Sequence, residues 1–199
     1  MRKLTVDDIV DHRAYERERA ELRARIIAMK RHRRIGLGDL LTITFENTDT
    51  MRFQVQEMAR AEHMLTDDAI AGEVATYNEL IPDDGELSGT LFVELTSDAL
   101  LREWLPKLVG IEHHLHVQVG DGPRVDGTPD DEERLTRDDV TATVHYLRFA
   151  FDRDQRAHFA HGPVRIVVDH PGYEAAVELT DEQRVELAAD LVERRDDIG

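Results

Sequence analysis

Histidine, carboxylate and arginine carry whatever chemistry this sequence can do, and they recur in four places. The run Ile111-Glu112-His113-His114-Leu115-His116-Val117-Gln118-Val119 alternates apolar and polar residues. As a strand it sets Glu112, His114, His116 and Gln118 on one face and Ile111, His113, Leu115, Val117 and Val119 on the other. Imidazoles two residues apart on a strand stand roughly 6–7 Å apart and can share one ion. Imidazole with carboxylate suits zinc, iron(II), nickel or copper. The simpler reading is the wet face of a half-exposed strand. In Val144-His145-Tyr146-Leu147-Arg148-Phe149, His145 shares a face with Leu147 and Phe149, where a histidine serves as a hydrogen-bonded core residue or as a ligand. Arg148 points the other way, toward a carboxylate or an anionic ligand. In Val167-Val168-Asp169-His170-Pro171-Gly172-Tyr173, His170 ends an apolar strand, and Asp169 either orients the imidazole or caps the turn. On a helix, Glu57 and Arg60 meet at i, i+3 spacing, as do Arg60 and His63. That spacing also describes plain surface ion pairing.

Other chemistries are excluded by composition. There is no cysteine, so thiol nucleophiles, disulfides, thiolate zinc sites and cysteine-held iron–sulfur clusters are out. The only serines are Ser88 and Ser97, and neither lies in a Gly-x-Ser-x-Gly turn. No phosphate-cradling glycine loop is present. The Glu-x-x-His pairs of ferritin-like di-iron bundles are missing as well.

These residues must be positioned by a mixture of helices and strands. Thr5-Val6-Asp7-Asp8 predicts a helix start. A long helix from about Ala14 to Arg34 carries one narrow apolar stripe, and Gly36 and Gly38 end it. Leu40–Glu46 is β-rich and stops at Asn47-Thr48-Asp49, which predicts a tight turn and a return strand over Met51–Val55. Helical periodicity follows in Gln56–Met64 and from Thr66 to Leu80. Ser88–Thr96 predicts a strand, and Asp98–Leu108 a helix shortened by Pro106. Ile111–Val119 predicts one continuous strand, Gly120–Asp139 an acidic loop, and Thr141–Phe151 a strand. A short helix from Asp154 precedes strand Val164–Val168, with Tyr173–Val177 paired to it. Thr180-Asp181-Glu182-Gln183 opens a last helix ending near Arg194. This order is not a steady βαβ alternation. It predicts an α+β fold: a mostly antiparallel sheet with helices packed on one side and a long N-terminal helix, in one domain over 1–199.

Charge divides that domain. Residues 1–36 hold eleven Lys/Arg against six Asp/Glu, while 37–199 hold fourteen against thirty-six. The whole chain carries −17. The basic helical segment 1–36 could bind an acidic partner or an RNA, or could cover the chain's own acidic surface. The acidic body 37–199 repels nucleic acid and anionic lipid, and no aromatic residues interleave with the arginines of the run Lys30-Arg31-His32-Arg33-Arg34. No apolar run approaches the roughly 20 residues a bilayer helix needs, and the N-terminus turns acidic where a signal peptide is apolar. A cytoplasmic location is expected.

Several stretches together resemble the DUF3501 family of bacterial proteins. They are Met1-Arg2-Lys3-Leu4-Thr5, Arg52–Met58 with Arg60 and Glu62, Tyr77–Asp83, Gly110-Ile111-Glu112, Val144–Phe149 and Asp169–Tyr173. The resemblance implies a single-domain protein of this length, encoded near rubrerythrin-like and heterodisulfide-reductase-like iron–sulfur proteins, and so a link to redox or peroxide-stress work. It assigns no catalytic residue. It does put Glu57, Arg60, Asn78, Glu112, His145, Arg148, Asp169, His170 and Tyr173 in matching stretches, and leaves His114 and His116 outside. Two readings follow. In the first, Glu57, Glu112, His145 and His170 converge on a non-haem iron or zinc ion, Arg60 and Arg148 hold an anionic substrate or orient a carboxylate, and Asn78, Asp169 and Tyr173 join them in binding a ligand. In the second, the chain is a non-enzymatic adaptor. Its charged residues then hold helix to sheet, and its basic helix docks on a rubrerythrin-like or iron–sulfur partner.

Overall fold

The structure, a computed structural model, describes residues 1–130 and 139–192. The acidic pair at Asp7–Asp8 closes only a 3-10 turn, Val6–Asp8. The long helix α1, His12–Arg33, starts instead at Asp11, whose carboxylate accepts the N–H groups of Arg13 and Ala14 at 2.9 and 3.0 Å. It buries a narrow line, Tyr15, Ile26 and Arg33. The helix passes directly into strand β1, Arg34–Leu37, so Gly36 lies within a strand. Gly38, with φ +69°, makes the turn into β2, Leu41–Glu46.

The predicted hairpin after β2 does not form. Residues Thr48–Ala61 are helix α2. Asn47 is its N-cap: its side chain accepts Thr50 N–H at 2.9 Å, and Thr50 Oγ1 accepts Asn47 N–H at 2.9 Å. An Asn-Thr-Asp stretch serves a turn and a helix start equally well. The spacing of Met51, Val55 and Ala59, all buried, is what decides for the helix. Helix α3, Asp67–Asn78, follows. Together α2, α3 and the N-terminal segment enclose a small core of Leu4, Ile9, Met51, Val55, Val74 and Ile81.

Strand β3, Glu86–Val93, leads to helix α4, Asp98–Trp104, which stops before Pro106. The predicted strand over Ile111–Val119 is split. Gly110 at φ +86° sets up a 3-10 turn, Ile111–His113, and only Leu115–Val119 is strand, β4. The loop after it holds short strands β5, Arg124–Asp126, and β6, Thr128–Pro129; its stretch 131–138 lies outside the described residues. Then come β7, Val144–Ala150, helix α5, Arg153–Phe159, β8, Val164–His170, and β9, Tyr173–Glu178. Helix α6, Asp181–Ala188, starts at the Thr180 capping box and runs into a 3-10 turn, Ala189–Leu191. Its predicted end near Arg194 falls outside the described residues.

The fold is α+β with antiparallel sheets, and there are two of them rather than one. Their orders are β1-β2-β3-β7-β6 and β5-β4-β8-β9. Helices meet both sheets: α1 contacts β1 and β2, and α5 contacts β4. The inner faces contribute Ile43, Phe45, Leu91, Leu147, Val117 and Ile166 to one shared core, closed by Phe159, Leu187 and Leu191. Each such buried side chain stabilises the fold by about 1.5–3 kcal/mol. Strand β2 is buried on both faces; on the outward one Thr42 donates to Glu94 at 2.9 Å and Glu46 lies 3.8 Å from Lys30 of α1. No helix among the described residues is long and apolar enough to cross a membrane.

Candidate functional site

The residues nominated from the sequence fall into separate groups. Glu57 lies on α2 and faces α1. Tyr15 Oη donates to its Oε1 at 2.5 Å, and Arg19 grips both oxygens at 2.7 and 2.8 Å. Arg19 beside it holds the Glu57 carboxyl down to about 2, with burial pulling the other way. Burial, then the Glu57 carboxylate, pushes the Tyr15 hydroxyl upward. Arg60, one turn on, pairs with Glu16 of α1. These contacts clamp α2 to α1. They also explain why Glu57 and Arg60 do not pair with each other: each has a better-placed partner across the helix interface.

Asn78 is a backbone clip. Its Nδ2 donates to Leu4 O at 2.9 Å and its Oδ1 accepts Leu4 N–H at 2.7 Å, tying the N-terminal segment to α3. Arg148 on β7 reaches Asp130 at 2.8 Å, Glu86 at 3.3 Å and the Glu79 carbonyl. Burial works against its charge, but Asp130 and Glu86 outweigh burial and raise its pKa. Tyr173 pins the β1–β2 turn: its hydroxyl donates to Leu37 O at 2.6 Å and accepts Leu40 N–H at 3.2 Å. A side chain at Gly38 would strike that hydroxyl.

Glu112 and His145 do come together. His145 is 2% exposed and Glu112 5%, and Nδ1 stands 3.7 Å from Glu112 Oε2. The Nε2 nitrogen lies 3.0 Å from the Ala142 carbonyl and 3.1 Å from Thr141 Oγ1. A carbonyl only accepts, so Nε2 carries the proton. Burial lowers the His145 pKa, and Glu112 opposes it.

His170 uses both ring nitrogens on backbone. Nε2 donates to Val109 O at 3.0 Å, and Gly172 N–H donates to Nδ1 at 3.0 Å. The ring thus ties the β8–β9 turn to the loop before the 3-10 turn, and its tautomer is fixed. Asp169 points outward from β8. It meets His114 Nδ1 at 3.3 Å, His116 Nδ1 at 3.8 Å and Arg124 Nη1 at 3.2 Å. His114 also stacks edge-on against His170, with ring centroids 4.9 Å apart.

The four expected metal donors therefore do not present a common open set. Both oxygens of Glu57 are held by α1, and both nitrogens of His170 by backbone. Among the described residues no group of three or more His, Asp or Glu side chains could hold a metal ion. A cleft of about 450 Å³ opens elsewhere, beside Met1, Arg2, Asn47, Asp49, Asp84 and Asp190, and none of the nominated residues lines it.

Sequence reasoning missed Arg33. It read as part of the basic run Lys30–Arg34, yet it is fully buried. Its guanidinium binds Asp190, Glu186 at 3.1 Å and the carbonyls of Phe45 and Glu46. The signal was its phase: Arg33 follows Ile26 by seven residues, two turns along the same buried line.

The fold and these side chains define an α+β protein of two antiparallel sheets whose central polar residues mostly act as internal ties. The chain belongs to the DUF3501 family, described as proteins of unknown function, which it matches over residues 3–191. It is also similar to a novel protein of unknown function from Burkholderia pseudomallei, known from a crystal structure. The two are 34% identical with a TM-score of 0.88, over 96% of this chain and 100% of the other. No curated protein matches the chain.

Proposed function

We propose that this chain is a non-enzymatic partner subunit that docks through the exposed face of α1 on an acidic protein surface. A rubrerythrin-like protein or an iron–sulfur oxidoreductase is the partner that the family resemblance implies. One observation carries the reading. Arg13, Arg17, Arg23, Arg25 and Arg31 are all exposed on α1, and none makes an ion pair among the described residues. Arg17 reaches only the Arg13 carbonyl, at 3.2 Å. Arg2, Arg19, Arg60, Arg124 and Arg148 find carboxylates; exposed Arg102, Arg153 and Arg165 also make no ion pair among the described residues, but they are scattered over separate elements, whereas α1 gathers five. In a chain with 42 acidic residues against 25 basic, five unpaired cations on one helix form a field of opposite sign to the body. Such a patch steers encounter and selects an acidic partner, although each exposed contact contributes only about 0–1 kcal/mol.

The test is binding of the full chain to the rubrerythrin-like or iron–sulfur protein of the same organism, followed by titration calorimetry at several salt concentrations. The expected complex weakens steeply with salt, and R17E/R31E weakens it at least tenfold. An affinity indifferent to both salt and charge reversal contradicts the proposal.

A further inference from the structure

One ion pair crosses the second sheet from its edge strand, and a titratable side chain stands beside it. His116 on β4 lies opposite Asp126 of β5 on one side and Val167 of β8 on the other. Its side chain is 12% exposed. Arg124 of β5 forks across β4: Nε meets Asp126 of its own strand at 2.8 Å, and Nη1 reaches Asp169 Oδ2 of β8 at 3.2 Å. His116 Nδ1 stands 3.8 Å from that same oxygen. The distance is too long for a hydrogen bond, so Arg124 holds the oxygen while the imidazole is neutral. Burial lowers the His116 pKa; Asp169 opposes this, Arg124 adds to it, and Asp126 opposes it. Further out, His114 meets Asp169 Oδ1 at 3.3 Å, His170 lies edge-on to His114, and Glu174 of β9 stands opposite Asp169.

We infer that β5 is an acid-released edge of the second sheet: a proton on His116 displaces Arg124 from Asp169, and residues 124–126 detach from β4. The strand is three residues long, is outermost in its sheet and pairs there with β4 alone. A charged His116 brings a second cation to the oxygen that Arg124 binds, at a place water reaches poorly. Both costs are relieved when β5 lifts. The imidazole is hydrated, and Arg124 leaves together with Asp126, its partner on the same strand. The two ends of the segment are held by groups that do not titrate. Gln155 Nε2 donates to Pro123 O at 3.3 Å, and Gly127 N–H donates to Leu115 O at 2.8 Å. Movement is therefore confined to the residues between them. Val125, 5% exposed, is the apolar side chain that keeps the strand down at neutral pH. The closed form favours the neutral imidazole. Its stability is thus full above the ordinary histidine value of 6.5 and is lost as the pH falls below it. With β5 lifted, β4 becomes the sheet edge, and its backbone groups are free to pair with another strand. The device lies on a different element from α1 and does not rest on the docking reading.

The test is amide hydrogen exchange of the full chain between pH 7.5 and pH 5, expressed as protection relative to an unstructured chain at the same pH. An opening that takes up one proton grows by at most about tenfold per pH unit. Opening of residues 124–126 is expected to increase at least about threefold over this range, while residues 175–178 of β9, the other edge of the sheet, stay as protected as before. His116→Gln keeps a neutral polar side chain and is expected to remove the increase, with circular dichroism at pH 7.5 checking that the variant is folded. If the variant does not fold, the His116 imidazole resonance of the parent decides. Its titration midpoint is expected below 6.5, and a midpoint at or above that value overturns the inference. Unchanged protection of 124–126 overturns it too. So does an equal loss at 175–178, which marks general unfolding in acid, and so does a folded His116→Gln variant that opens with acid as the parent does.

Discussion

Replacing Arg33 with methionine is expected to destabilise the protein more than any change on the exposed face of α1. The guanidinium is fully buried and joins α1 to the C-terminal α6 segment and to β2. Its removal strands Asp190, which is 7% exposed, together with the carbonyls of Phe45 and Glu46. Breaking a buried ion pair by deleting one partner costs about 3–5 kcal/mol. For a chain of this size, that corresponds to a fall of about 6–20 °C in Tm. The magnitude should depend on pH. Burial already raises the Asp190 pKa, with Arg33 opposing it. Without Arg33 it rises further, so the variant's deficit should shrink as the pH is lowered and Asp190 takes up a proton. Urea unfolding followed by circular dichroism gives the numbers, and the double variant Arg33→Met/Asp190→Leu completes a cycle. The double variant should recover much of the loss, because a buried pair replaced by apolar groups is often neutral. A single variant as stable as the parent, or a double variant with additive losses, refutes the assignment of Arg33 as a buried tie.

Two further outcomes follow from the other internal ties. Glu57 is held down to about 2 in the fold, first by Arg19. Its pairing therefore contributes stability that is full above its unfolded value and is lost as the pH falls through the folded one. Glu57→Gln should be less stable than the parent at neutral pH, and the two unfolding curves should converge in acid. Parallel curves down to pH 2 contradict this. His170→Ala removes two bonds to backbone, each contributing about 0.5–1.5 kcal/mol, and frees the loop that carries Val109. Amide exchange in residues 107–114 and 169–174 should accelerate together; unchanged exchange there contradicts the assignment.

The sequence was most legible where one local signal dominates. The Thr180 capping box, the apolar alternation of Leu115–Val119 and Val164–Val168, and the pairing of Tyr173–Val177 with its neighbour all appear in the structure as read. Asn47 was misread because a cap and a turn use the same residue types, and only the burial of Met51, Val55 and Ala59 separates them. The 111–119 run was read too long. Its alternation continues through Glu112 and His113, but Gly110 in the left-handed region sets up a 3-10 turn instead. The division into two sheets depends on which strands pair across long separations, such as β3 with β7 and β4 with β8, and no local pattern states that. The candidate site suffered most from the same limit. Spacing shows which residues share a face, but not which carbonyl or carboxylate meets them across the fold. His170 reads as an aimed strand-end side chain until Val109 and Gly172 are seen to occupy both of its nitrogens. Glu57 reads as an acid poised for chemistry until Arg19 and Tyr15, about forty residues earlier, are found upon it.

The most direct test of the docking account is an arginine footprint. The chain, alone and in complex with its redox-protein partner, is treated with phenylglyoxal, and modification is read residue by residue by mass spectrometry. The account predicts that Arg17, Arg23, Arg25 and Arg31 react in the lone chain and are shielded in the complex, while Arg124 and Arg165 on the second sheet react equally in both. Shielding of Arg124 and Arg165 with the α1 arginines still reactive would place the interface on the second sheet and contradict the account.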